Sequence, residues 1–499
     1  MMPLADPEAA FGWRTIAAVA RGGPMRLPET AWQRIAAARA VVDAIVARGI
    51  PAYGVSTGIG AFCDTVVPPA EQRALSRHIV LSHAVGTGPH LPEAETRAIM
   101  AAAVANLSHG RSGVRPAVVA LLLACLERRC IPAVPRQGSV GYLSHMAHVA
   151  LALIGEGEGL VDGALRPARE ALGHHGLAPL VLDTKEGLSL INGTPCATGL
   201  AALALAQAER LFDWADGLAA LSFEAVGSQD SAFAAAPMNL HASPGLKATA
   251  ARLRGYLAGS DRVAAAKGRR LQDALSLRAV PHVHGAARDA FAYAATVVDR
   301  ELASPTDNPL VGGTPEAPEV FSTAHAVGAG VALAMDTLGI AVAEVAAMAE
   351  RRLDRLLNPL VSGLPPFLAG TGGLHSGLMI AQYTAASLVA ENRRLAAPAS
   401  LDGGITSGLQ EDYLSHATPA SLKTLVILDN AAQVLGIEWV VAAQASDLYP
   451  GPHARGAGTG ALHARLRAHL PVFRDDRPLG RDLETAATIL RREDIDPPP

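Results

Sequence analysis

The chain has 499 residues and a formal net charge of −4; half its residues are hydrophobic, 18% are charged and only 4% are aromatic. So mild an acidic balance gives no electrostatic footing for nucleic acid or an anionic membrane surface. Small apolar residues must do the packing, and alanine-rich apolar stretches favour close-packed helices over sheets, so an all-α fold is expected.

The four cysteines, Cys63, Cys125, Cys130 and Cys196, show neither metal-ligand spacing nor a paired framework. They read as thiols of a reducing compartment. Residues 1–10 lack the basic-then-apolar pattern of an export signal. The most apolar stretch, 331–349, carries Asp336 and Glu344, charges that a membrane span bears only at a cost. It is expected to be a buried bundle helix of a soluble, cytoplasmic protein.

The first clear helix spans 30–48, with Ile35, Val42, Ile45 and Val46 on one stripe and Gly49 as terminator. A glycine-rich loop follows, Tyr53-Gly54-Val55-Ser56-Thr57-Gly58. Further helices are predicted over 93–108, 116–129, 142–155, 198–227, 285–303, 330–357, 378–396 and 421–445. Several are apolar all round and must be covered on every side, as in a central bundle that also meets other subunits. Residues 1–110 read as an N-terminal active-site domain and 111–499 as a helical core carrying further site loops. The tail beyond Arg491 is expected to be loose.

Taken singly, the polar residues in these loops have ordinary structural readings. Tyr53 could be a loop residue, His83 a hydrogen-bonded core histidine, Asn192 a turn residue. Arg278 could be half of a surface ion pair, and Glu411 a helix-start carboxylate. In order they form a series: Tyr53-Gly54-Val55-Ser56-Thr57-Gly58, Leu81-Ser82-His83-Ala84, Ser112-Gly113-Val114-Arg115-Pro116, Gly138-Ser139-Val140-Gly141, Leu190-Ile191-Asn192-Gly193-Thr194, Gln272-Asp273-Ala274-Leu275-Ser276-Leu277-Arg278, Asp307-Asn308-Pro309-Leu310 and Gln410-Glu411-Asp412. Over residues 35–443 this series resembles the histidine/phenylalanine ammonia-lyase superfamily.

The resemblance implies an ammonia-lyase-like fold, a homotetramer with shared active sites and a small amino-acid-type substrate. It implies Tyr53 as the base for the β-proton and Arg278 as a bidentate clamp on the carboxylate, assisted by Asn192. His83, Gln272 and Glu411 would address the ring or the amino group. A phenol acts as a base near neutrality only if its pKa is lowered by cations or helix dipoles.

The chain also departs from the family pattern. The family's electrophile, a methylidene-imidazolone, forms from an Ala-Ser-Gly that follows the Gly-Ser-Val-Gly segment; here Gly141 is followed directly by Tyr142. Leu275 stands where the family has a tyrosine, and His325-Ala326-Val327-Gly328 replaces Asn-Phe-His-Gly. An electrophile would keep its supporting shell, so loss of the group, and no cofactor, is the leading expectation. A quaternary trimethylammonium needs no covalent activation. The chain therefore looks like the ergothionase-type branch, releasing trimethylamine from ergothioneine, with Glu411, Tyr142 and Tyr413 around the cation. The alternatives are a conventional electrophile-bearing histidine or other aromatic amino acid ammonia-lyase, whose modified residue the written sequence omits, and a non-catalytic homologue. No metal site is expected, since His282-Val283-His284 and the other histidines fit no ligand spacing.

Overall fold

A computed structural model describes residues 11–401, 403–496 and 498. Helix accounts for 61% of the chain and strand for 6%, bearing out the all-α expectation. The helix Glu29–Ala47 shows how sequence sets an element. Pro28 enters it extended, and Glu29 places a carboxylate in the first turn, where the helix dipole favours it. Val41, Val42 and Ile45 pack with Ala52, Val55 and Val311, so the helix anchors the glycine-rich loop behind it. Gly49 turns the chain out at φ 61°, a backbone region open to glycine.

Four long helices dominate: Pro195–Ala225, Val280–Leu302, Ala329–Leu357 and Ala417–Asp447. Pro195 opens its helix where a missing N–H costs nothing. The helix expected over 142–155 is shorter, Ser144–Leu153. Leu143 sits at φ 78° and ψ −78°, and the Ser144 N–H returns to the Tyr142 carbonyl at 3.2 Å, a γ-turn that no helix can run through. Helices Trp13–Ala20, Gln72–His83, Pro244–Leu257, Ala457–Arg467 and Gly480–Arg492 lie outside the predicted set. All are short, and the last buries only Leu483, Ala486, Ala487, Ile489 and Leu490. The strands are short antiparallel ribbons: Thr87–His90 with Pro135–Gln137, Leu310–Gly313 with Pro318–Phe321, and a three-stranded set centred on Glu158–Val161.

The chain falls into two interleaved units. The first takes residues 1–206, 294–336 and 398–422, and the second 207–293, 337–397 and 423–499. The anticipated segment 1–110 belongs to the first unit, whereas 111–499 contributes to both. In the second unit Trp214 and Trp439 meet with ring centroids 4.9 Å apart. Beside this apolar packing Arg352 and Glu438 form an ion pair with no exposure on either side chain, and the Ser222 hydroxyl donates to the same carboxylate at 2.7 Å. Glu186–Ala225, His325–Leu357 and Ala417–Asp447 are long and apolar enough to cross a bilayer. Their apolar windows are 100%, 61% and 83% buried against protein.

Candidate active site

The first unit holds a cavity of about 1280 Å³ lined by Tyr53, His83, Tyr142, Asn192, Asn308 and Glu411, among others. Five of the eight predicted site residues are thus brought together. Tyr53 is fixed by its own loop. The Ser56 hydroxyl accepts the Ala52 N–H at 2.8 Å and donates to the Ile50 carbonyl at 3.0 Å. Gly54 stands at φ 62°, and a β-carbon there would be driven into the Leu188 side chain. The Tyr53 hydroxyl accepts the Gly60 N–H at 3.2 Å. Burial pushes this phenol above its ordinary value of 10; the Gly60 N–H opposes the shift, while Glu411, Cys63 and Asp307 add to it. The lowered pKa a phenolate base needs is therefore not produced by this chain's own neighbours.

His83 ends the helix Gln72–His83. Its Nδ1 lies 2.8 Å from the Ile79 carbonyl, which can only accept, so Nδ1 carries the proton. In the neutral ring Nε2 is then an acceptor. Asn192 caps the helix Glu186–Ile191. Its Nδ2 donates to the Asn308 carbonyl at 2.7 Å and its Oδ1 accepts the Gly193 N–H at 2.9 Å. One Nδ2 hydrogen is left for a ligand. The Tyr142 hydroxyl donates to Glu411 at 2.5 Å, and burial together with that carboxylate pushes its pKa well up, so it stays protonated.

The other three predicted residues lie elsewhere. Gln272 and Arg278 belong to the second unit, where the Gln272 amide oxygen accepts from the Arg278 guanidinium at 2.6–3.0 Å. Tyr413 is 58% exposed and is absent from the cavity lining. Glu411 lines the cavity and is half-buried, whereas Asp412 and Tyr413 beside it are exposed, a difference that apolar periodicity does not reveal. His78, Cys63 and Leu188 line the cavity without having been singled out. Asn308 was visible only as part of a motif without a role.

Residues 12–468 match the model of the aromatic amino acid lyase family. The chain is 45% identical over 482 residues to a histidine ammonia-lyase of Sorangium cellulosum, covering 94% of each. It is 42% identical to a histidine ammonia-lyase of Treponema denticola, covering 99% of this chain and 97% of the relative. Among solved structures, histidine ammonia-lyase from Trypanosoma cruzi superposes with a TM-score of 0.89 at 33% identity, over 97% of this chain and 92% of that one. An ergothionase from Treponema denticola superposes with a TM-score of 0.90, but at 26% identity over 97% of each chain.

These findings correct two expectations. The trimethylamine-releasing reading rested on the absent tripeptide between Gly141 and Tyr142 and on the altered positions Tyr142, Leu275 and Ala326. Relatives matching along nearly the whole length are named histidine ammonia-lyase, while the ergothionase is a distant likeness of fold. The expectation of no prosthetic group falls with it, because histidine ammonia-lyases use a methylidene-imidazolone made from Ala-Ser-Gly. Yet the residues present do not fit that group. The sequence has no Ala-Ser-Gly at any position, and Gly141 joins Tyr142 directly. A β-carbon on Gly141 would lie 2.9 Å from the Ser415 hydroxyl, and the γ-turn at Leu143 drives the Tyr142 phenol towards Glu411. This chain offers no residues there that could cyclise. The departures touch a few positions, whereas the likeness runs from residue 12 to 468 and includes the fold, and on that ground the chain belongs to the aromatic amino acid lyase family.

Proposed function

We propose that the protein is a carbon–nitrogen lyase that removes the α-amino group from histidine or a closely related aromatic amino acid. The observation that carries this reading is the convergence of Tyr53, His83, Asn192 and Glu411 on one cavity in a chain 45% identical to a histidine ammonia-lyase. In the reaction the deprotonated Tyr53 oxygen takes the β-proton, the C–H electron pair becomes the Cα=Cβ bond, and the C–N pair leaves on nitrogen, which departs as ammonia. The remaining Asn192 N–H meets the substrate carboxylate. The His83 Nε2 accepts from the imidazole N–H. Glu411, already bridged by Tyr142, faces the ammonium.

We further propose a cytoplasmic homotetramer in which Arg278, with Gln272, reaches the cavity of another subunit. There Arg278 would clamp the carboxylate and supply the cation that Tyr53 lacks. Two features support this. The apolar window of His325–Leu357 is only 61% buried. Large apolar side chains such as Ile340, Leu360, Ile380 and Tyr383 are 48–90% exposed. The test is incubation of the purified protein with L-histidine, L-phenylalanine and L-tyrosine separately, measuring ammonia and the ultraviolet absorbance of the unsaturated acid. Ammonia and urocanate from histidine are expected. Release from none of the three overturns the reading.

A further inference from the structure

Asn308 lines the cavity and Asp307 acts on Tyr53, but Lys185 behind them has no role in the site as described. Lys185 combines two costly features. Its ammonium is fully buried, and its backbone stands at φ 69°, where side chains are strained. Its Nζ lies 3.0 Å from the Asp307 Oδ2, also fully buried, and donates to the Ser189 hydroxyl at 2.8 Å. That hydroxyl donates in turn to the Ser112 carbonyl at 2.9 Å. A buried ion pair of this kind is a weak source of stability, because desolvation offsets the attraction. What it does well is fix geometry.

The geometry leads to the cavity. The Asp307 Oδ1 accepts the Asn308 N–H at 2.7 Å. The Asn308 side-chain oxygen accepts the Thr323 N–H at 2.8 Å, so the residue is held at both ends. The Asn308 carbonyl accepts the Asn192 Nδ2 at 2.7 Å. Lys185 also immediately precedes the helix Glu186–Ile191, at whose far end Asn192 stands. Chain and side chains therefore close a loop from the ammonium to Asn192.

We propose that Lys185 is a positioning residue: by anchoring Asp307 it orients the Asn308 peptide, which aims the Asn192 amide at the substrate carboxylate. This rests on the lyase reading only for the identity of the ligand. Removing one charge alone would strand the other in the interior. The variant of choice is therefore Lys185→Met/Asp307→Ala, which removes both charges and the acceptor that holds Asn308. It is measured beside Asn192→Ala and the triple variant, by calorimetric titration with L-histidine and by crystallography of the double variant. Circular dichroism establishes that each variant is folded.

The expected result is a dissociation constant raised about tenfold in the double variant and in Asn192→Ala, with no further increase in the triple variant. Groups acting through one another are non-additive in this way. In the crystal the Asn192–Asn308 hydrogen bond should be broken. Losses that multiply in the triple variant, or an Asn192 amide left where it is, overturn the proposal. Should the unaltered protein bind no histidine, the lyase reading fails on its own, and the position of Asn192 in the double variant still decides this proposal. A double variant that does not fold sends the same comparison to Lys185→Met/Asp307→Asn. That pair is neutral but leaves residue 307 without its ammonium anchor, so a displaced Asn192 amide and weakened binding are expected there as well, and an intact Asn192–Asn308 bond with unweakened binding overturns the proposal.

Discussion

At the residue scale, the Glu411 charge bears on Tyr53. Tyr53→Phe removes the phenol oxygen to which we assign the β-proton. Turnover should fall by about a hundredfold or more, the scale of losing a general base, with folding intact. Near-normal turnover would assign the base elsewhere. The pH dependence has a definite sign. A base works deprotonated, so activity rises as pH rises through its pKa. Burial raises the Tyr53 pKa, and the Glu411 charge adds to the shift. Removing that charge in Glu411→Gln lowers the Tyr53 pKa. The rising limb of the rate profile should then move to lower pH even if maximal turnover falls. A limb that stays in place, or moves up, shows that the titrating group is not Tyr53. The types and order of Tyr53, His83, Asn192 and Glu411 were legible in the sequence, but their protonation was not. A pKa depends on burial and on charges from residues distant in the chain, here Asp307 and Glu411 acting on Tyr53.

Among the elements, the loop after Glu29–Ala47 and the buried pair in the second unit invite direct tests. Gly54 has a positive φ and no room for a side chain against Leu188. Gly54→Ala should therefore cost about 1–3 kcal/mol in thermal or denaturant unfolding. Trimming the neighbour in Gly54→Ala/Leu188→Ala should relieve the clash but not the backbone strain, so activity should recover only in part. An unchanged melting temperature in the single variant would mean the loop is looser than its geometry indicates. Arg352→Met leaves the Glu438 carboxylate buried without its cation, a loss of about 3–5 kcal/mol. Arg352→Met/Glu438→Leu should restore much of that stability; if both variants are equally destabilised, lost packing rather than the stranded charge is responsible. Helix positions in this chain follow from apolar periodicity and stop signals such as Gly49. The late start at Ser144 does not, because a γ-turn at Leu143 precedes it and apolar periodicity carries no sign of such a turn.

For the whole molecule, the proposal that sites are shared makes a complementation test possible. Chains carrying Tyr53→Phe and chains carrying Arg278→Ala should each be inactive. Unfolded together and refolded as a mixture, they should regain part of the activity, because some cavities then receive an intact Tyr53 from one chain and an intact Arg278 from another. Light scattering on the unaltered protein should give four times the 51.4 kDa chain mass. No recovery on mixing, or a monomer at micromolar concentration, would place Arg278 outside the site.

The sequence by itself determined the helical class, the main helix positions, the family resemblance and five polar residues of the cavity. Composition, periodicity and ordered local motifs carry that information directly. It could not weigh a local gap against likeness along the whole chain, and the missing tripeptide at Gly141–Tyr142 pulled the reading towards the wrong reaction. Tertiary structure decided which side of the loop faces the cavity, separating Glu411 from Tyr413. It decided that Gln272 and Arg278 pair with each other in the second unit, and that a buried lysine stands behind Asn192. The last of these rests on contacts between residues 122 and 116 positions apart, Lys185 with Asp307 and Asn192 with Asn308, and such contacts leave no mark in local periodicity.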